Sequence, residues 1–146
     1  MFAKSTSNKL LCSIFLLFLY FSCEVLSKQK NVFGEDLERC TKGTGYKRDG
    51  YCNTGPNDVG THVVCSTVSQ EFLVYTKSVG NDLSSPRPDL KFKGLKPGDN
   101  WCLCALRFEQ ARKVGKAPSV VLKSTNIKTL QYTPMDILRK FEAERP

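Results

Sequence analysis

The chain has 146 residues, 40% of them hydrophobic, with 22 basic and 14 acidic side chains, seven cysteines and one histidine. That length and apolar content make one small globular domain: too short for two ordinary domains, too apolar for a disordered tail, and without the period of a collagen, coiled coil or repeat array. The formal charge of +8 belongs to the whole chain, and the amino-terminal segment is unlike the rest.

Residues 1–9 carry Lys4 and Lys9 and no acid, and Leu10–Phe21 is an uncharged apolar run. This is the pattern of a secretory signal peptide over residues 1–27, with Val25 and Ser27 as the small residues before a cleavage site at Lys28. A bilayer span needs about 20 apolar residues, so a stable membrane anchor is not expected after cleavage; an uncleaved signal anchor is the alternative. The leader predicts a secreted or lumenal protein whose single domain is residues 28–146. From Asn31 onward the net charge falls to about +5. Those charges are scattered, with no interleaved aromatic face, so nucleic-acid binding is not expected.

In chain order, residues 43–60 hold five glycines and read as a long ordered loop. His62–Thr67 is short and β-branched, which predicts a strand. A helix near 69–79 follows, with Val68, Phe72, Tyr75 and Val79 at helical spacing and Gly80 as its stop. Residues 80–100, broken by Pro and Gly steps, form a second long loop. Trp101–Leu106 predicts a strand, Arg107–Val114 a short helix, and Val120–Lys123 and Thr129–Tyr132 two more strands. Thr133 is the expected N-cap of a last helix, with Pro134 in its first position and Ile137, Leu138 and Phe141 on its apolar stripe. The sum is an α+β fold: a small mixed sheet, about three short helices and two long ordered loops.

Five cysteines lie beyond the leader: Cys40, Cys52, Cys65, Cys102 and Cys104. On one strand, Cys102 and Cys104 would point to the same face. If the two cysteine-bearing strands are neighbours, Cys52, His62, Cys65, Cys102 and Cys104 converge as soft ligands for a metal such as zinc, although no paired C-x2-C spacing is present. A thiol beside His62 would instead serve as a nucleophile or redox centre, with Asp49 or Asp58 orienting the imidazole. Buried structural thiols, or two disulfides and one leftover thiol, fit the same residues. A domain of this size has enough core to fold without obligatory disulfides.

Polar loop residues offer a small-molecule site: Arg48, Asp49, Asn53 and Asp58 in the first loop, and Asn81, Asp82 and Arg87 in the second, with His62 just after the first loop and Trp101 just after the second. Trp101 serves as a core anchor or as the wall of a pocket beside the cysteines. G-x-S-x-G, P-loop, dinucleotide and H-E-x-x-H signatures are all absent. Three functions follow from these residues: a small-ligand or metal-binding module, a thiol-dependent enzyme, and a non-catalytic interaction domain.

The strings NVFGEDLERC (31–40), GYKRDGYCNTGPNDVGTHVVC (45–65), EFLVYTKSVGNDLSSPRP (71–88) and GLKPGDNWCLCALRFEQARKVGKAP (94–118) resemble the family called domain of unknown function 2237. The likeness runs over about residues 31–142. It brings no assigned activity, and it implies a fold independent of disulfides, since the bacterial members look cytoplasmic. The family pattern has two adjacent cysteines where this chain has Tyr51-Cys52.

Overall fold

A computed structural model describes residues 28–143, so the expected signal peptide lies outside the described residues. Three antiparallel strands form the sheet: β1 (Val64–Thr67) in the centre, β2 (Asn100–Leu103) on one side and β3 (Ser119–Val120) on the other. A parallel contact occurs as the isolated bridge Val120–Glu142. Three helices complete the α+β fold: α1 (Gln70–Ser78), α2 (Ala105–Lys113) and α3 (Met135–Arg139).

Alternation along the strands divides the molecule into two layers. Val64 of β1 faces Leu103 of β2 in register, and both enter the main core with Phe72 of α1, Phe108 of α2 and Leu138 of α3. The next pair, Cys65 and Cys102, enters a second, smaller cluster with Cys40 and Cys52. One face of the sheet is thus packed by helices and the other by sulfur beneath the glycine-rich loop.

Local chemistry explains the helix boundaries. Ser69 caps α1, its Oγ accepting from the Phe72 N–H at 3.1 Å. At the other end Gly80, with φ +82°, lets its own N–H reach the Lys77 carbonyl while the Asn81 N–H reaches Thr76. Gly115 ends α2 in the same way, with N–H groups of Gly115 and Lys116 donating to Arg112 and Ala111.

The structure corrects four expected elements. β2 stops at Leu103 because Cys104 is the N-cap of α2, which begins at Ala105. The strand expected over Val120–Lys123 is reduced to Ser119–Val120, and the chain turns into a 3₁₀ helix at Leu122–Ser124. Thr129–Tyr132 is not a strand: Asn126 accepts from the Lys128 N–H and opens a 3₁₀ helix over Ile127–Gln131. Pro134 takes the N-cap of α3, because Thr133 instead donates its hydroxyl to Glu109 Oε1 at 2.5 Å.

Both long loops are tied to the scaffold. The buried Thr44 Oγ1 accepts from the Cys102 N–H, and Asn126 Nδ2 donates to the Cys52 carbonyl. In the second loop Leu83, Phe92 and Leu95 pack against the main core, and the Leu95 N–H bonds to the Leu83 carbonyl. A side chain at Gly94 would bring its Cβ to 2.2 Å from the Ser84 carbonyl oxygen, so only glycine lets the two sides of this loop approach.

Candidate functional site

The cysteines form two disulfides, Cys40–Cys65 and Cys52–Cys102. Two disulfides and one leftover thiol, one of the arrangements the sequence allows, is thus what the described residues form. It also means that the ligand set Cys52, His62, Cys65, Cys102 and Cys104 is not assembled in that form: three of its sulfurs are in S–S bonds, and zinc needs thiolates. Cys104 is the free thiol among the described residues, half-buried at the start of α2 and not on the same strand face as Cys102. Cys40, left out of that set, is part of the cluster: its Sγ lies with those of Cys52 and Cys102 within a mutual 4.8 Å.

His62 is held by a carboxylate four residues before it. Asp58, whose side chain is fully buried, places Oδ1 at 2.6 Å from the imidazole Nδ1 and accepts the His62 backbone N–H on Oδ2 at 2.8 Å. The Thr54 hydroxyl donates to the same Oδ2 at 3.0 Å. Burial works against the charge on Asp58, but the bonds from the His62 N–H, its ring and Thr54 outweigh it and hold the carboxyl below its ordinary pKa. Facing an ionised carboxylate, Nδ1 carries a proton toward Asp58, and Nε2 is the ring nitrogen left free of that contact. Gly60 makes room for the ring, since a Cβ there would sit 2.3 Å from His62 Cε1.

His62 lines a cavity of about 160 Å³ with Tyr46, Arg48, Trp101 and Cys102. Arg48 and Trp101 also line a neighbouring cleft of about 280 Å³. That cleft has an aromatic wall, Trp101 and Phe92, with ring centroids 5.2 Å apart. Its rim carries Lys42, Arg48, Lys91 and Lys93 against one acid, Asp99. The Arg48 guanidinium lies 5.1 Å from the Trp101 ring centroid, at cation–π distance. None of these four cations takes part in an ion pair among the described residues.

Of the residues singled out in the sequence, Arg48, His62, Trp101 and Cys102 meet here, with Asp58 behind the imidazole. The others are elsewhere. Asp49 accepts from the Tyr51 N–H and from Asn53, which fixes a turn. Asn81 donates to Thr76 at the end of α1, and Asp82 accepts the Ser84 and Ser85 N–H groups while pairing with Lys77. Arg87 is exposed and bound to Asp89. Lys42, Lys91, Phe92 and Lys93 were not singled out; the basic-aromatic-basic run Lys91-Phe92-Lys93 is the signal that marks the last three, and nothing local marks Lys42.

No curated protein compared with this chain matches it. A family model described as "Uncharacterized protein conserved in bacteria (DUF2237)" matches residues 30–142, which takes in the sheet, all three helices and both disulfides. By the extent of that match, the chain belongs to the DUF2237 family.

Proposed function

We propose that this chain is a secretory-pathway binding domain whose ligand is a small organic anion with a flat apolar part, taken up in the cleft of Trp101. The observation that carries the reading is the meeting of Lys42, Arg48, Lys91 and Lys93 around the Trp101–Phe92 wall, with Asp99 as the opposing charge. Asp99 is partly occupied, accepting the Lys96 N–H at 2.9 Å. Cations without acid partners attract an anion, the aromatic wall takes its apolar face, and a cleft of about 280 Å³ suits a ligand of metabolite size. His62 Nε2, beyond Arg48, adds a hydrogen-bonding nitrogen for a polar group on the same ligand.

The compartment rests on two separate supports. Leu10–Phe21 has the makeup of a signal-peptide apolar region, and two disulfides suit an oxidising environment. Among the described residues no helix is long and apolar enough to cross a membrane.

Trp101 is the chain's sole tryptophan, so its fluorescence reports the cleft directly. Phenyl phosphate combines a ring with an anion and is a suitable probe, with phenol and inorganic phosphate as half-probes. Saturable quenching is expected with phenyl phosphate, weaker with either half, and weakened by about tenfold or more when Arg48 and Lys93 become alanine. Absence of saturation, or saturation indifferent to those two substitutions, would refute the anion reading.

A further inference from the structure

The two disulfides share one pocket. Cys40 precedes the glycine-rich loop, Cys52 lies within it, Cys65 is in β1 and Cys102 in β2, so four separate stretches of chain deliver sulfur to one face of the sheet. All four residues are buried, with Val121 the partly buried apolar neighbour packed against them. The sulfurs of Cys40, Cys52 and Cys102 lie within 4.8 Å of one another even though Cys40 belongs to one bond and the other two to the second. Cys65 is bonded to Cys40 and therefore adjoins the same group. Two disulfides that only close loops have no need to touch.

A tetrahedral ion with sulfur ligands at about 2.3 Å sets those sulfurs on the order of 3.8 Å apart. The Cys40 sulfur already lies within about 1 Å of that edge from those of Cys52 and Cys102. Reduction lets each bonded pair open toward the same spacing. We propose that, once both disulfides are reduced, the four thiolates of Cys40, Cys52, Cys65 and Cys102 bind one zinc ion, making the cluster a metal site that is open only in the reduced protein.

The chemistry balances with a dithiol as reductant. Each S–S bond accepts two electrons and two protons from one dithiol, which closes to its own disulfide, and four protein thiols result. Zinc then displaces their four protons and forms four Zn–S bonds. The resulting centre carries two negative charges. Arg48, which lines a cavity with Cys102, is the cation on that side. The site differs from the cleft of Trp101 in ligand and in location, so either can fail without the other.

The experiment uses the full chain with Cys12→Ser and Cys23→Ser, reduced with a dithiol under nitrogen, freed of excess reductant and titrated with cobalt(II) and then zinc. Expected is one equivalent of cobalt with intense visible bands and sulfur-to-metal charge transfer of a tetrahedral tetrathiolate, displaced by zinc. Cys40→Ser and Cys52→Ser should each abolish that spectrum, Cys104→Ser should preserve it, and the oxidised protein should bind no ion. Circular dichroism accompanies each step, and recovery of the native spectrum on adding zinc supports the site. The proposal is overturned if the reduced chain takes up no ion, if Cys40→Ser binds it with the same spectrum, or if the metal-bound chain stays unfolded.

Discussion

Cys65 and Cys102 sit directly opposite each other across β1 and β2, yet neither is bonded to the other. Their backbone N–H groups point away from the shared ladder, to Thr125 and Thr44, which marks a pair without mutual backbone hydrogen bonds. Each sulfur is instead joined to a loop cysteine, Cys65 to Cys40 and Cys102 to Cys52. The order along the chain makes the two closed loops interlock, with separations of 25 and 50 residues.

Loop length sets the expected cost of losing each bond. On chain entropy alone, replacing Cys40 and Cys65 by alanine should cost about 3.5 kcal/mol, and replacing Cys52 and Cys102 about 4 kcal/mol. Because the loops interlock, each bond shortens the loop that the other must close. Each single loss is therefore partly masked while the other bond remains, and removing both should cost more than the sum of the two single losses. Urea unfolding of the three variants checks this, and strict additivity would show that the loops close independently.

Acid should act on the same layer through Asp58. Its folded pKa is below the ordinary value because the His62 N–H, the imidazole and Thr54 favour the charged form despite burial. A group with a depressed folded pKa contributes stability that is complete above its unfolded pKa of about 3.9 and is lost as pH falls through the lower folded value. Asp58→Asn should flatten that part of the stability profile below about pH 4. It should also turn the ring, because an amide NH₂ facing Nδ1 makes Nδ1 the acceptor and moves the proton to Nε2. Imidazole ¹⁵N shifts at neutral pH would report the exchange; unchanged shifts would mean that Asp58 does not set the tautomer.

Much of the scaffold was legible because it rests on local chemistry. The stop at Gly80 and the β-branched run of β1 each act within a few residues. Asp58 as the partner of His62 was one of two candidates, and its four-residue separation brought it within reach. What was not legible depends on partners distant in sequence. Nothing near Cys40 marks Cys65 as its partner, and Lys42 meets the Trp101 cleft only because the fold brings it against Lys91, Phe92 and Lys93 of the second loop. The Thr129–Tyr132 segment misled by composition: β-strand residue types yielded to a side-chain cap from Asn126.

Arg48 combines a side chain over Trp101 with a left-handed backbone at φ +58°. Such a conformation costs a non-glycine residue roughly 1–2 kcal/mol. Arg48→Gly should thus be about 1 kcal/mol more stable than Arg48→Ala, even though both lose the guanidinium. Both should shift Trp101 emission alike, since both uncover the same face of the indole. Equal stabilities by thermal unfolding would show that the strain at Arg48 is relieved elsewhere.

Gly55 and Gly60 lie in one loop and make opposite predictions. Neither has the positive φ that would demand glycine. A methyl at Gly55 meets nothing within 4 Å, so Gly55→Ala should be neutral or stabilise by up to about 1 kcal/mol through the unfolded chain. A methyl at Gly60 would lie 2.3 Å from Cε1 and 2.8 Å from Nε2 of His62, so the imidazole must move. With the ring displaced, the buried Asp58 loses its contact with Nδ1 while keeping the backbone N–H and Thr54. The expected cost is roughly 1–3 kcal/mol, accompanied by a change in the His62 imidazole resonances that Gly55→Ala does not produce. If Gly60→Ala left both stability and those resonances unchanged, the packing of His62 against Gly60 would not be what holds the ring on Asp58.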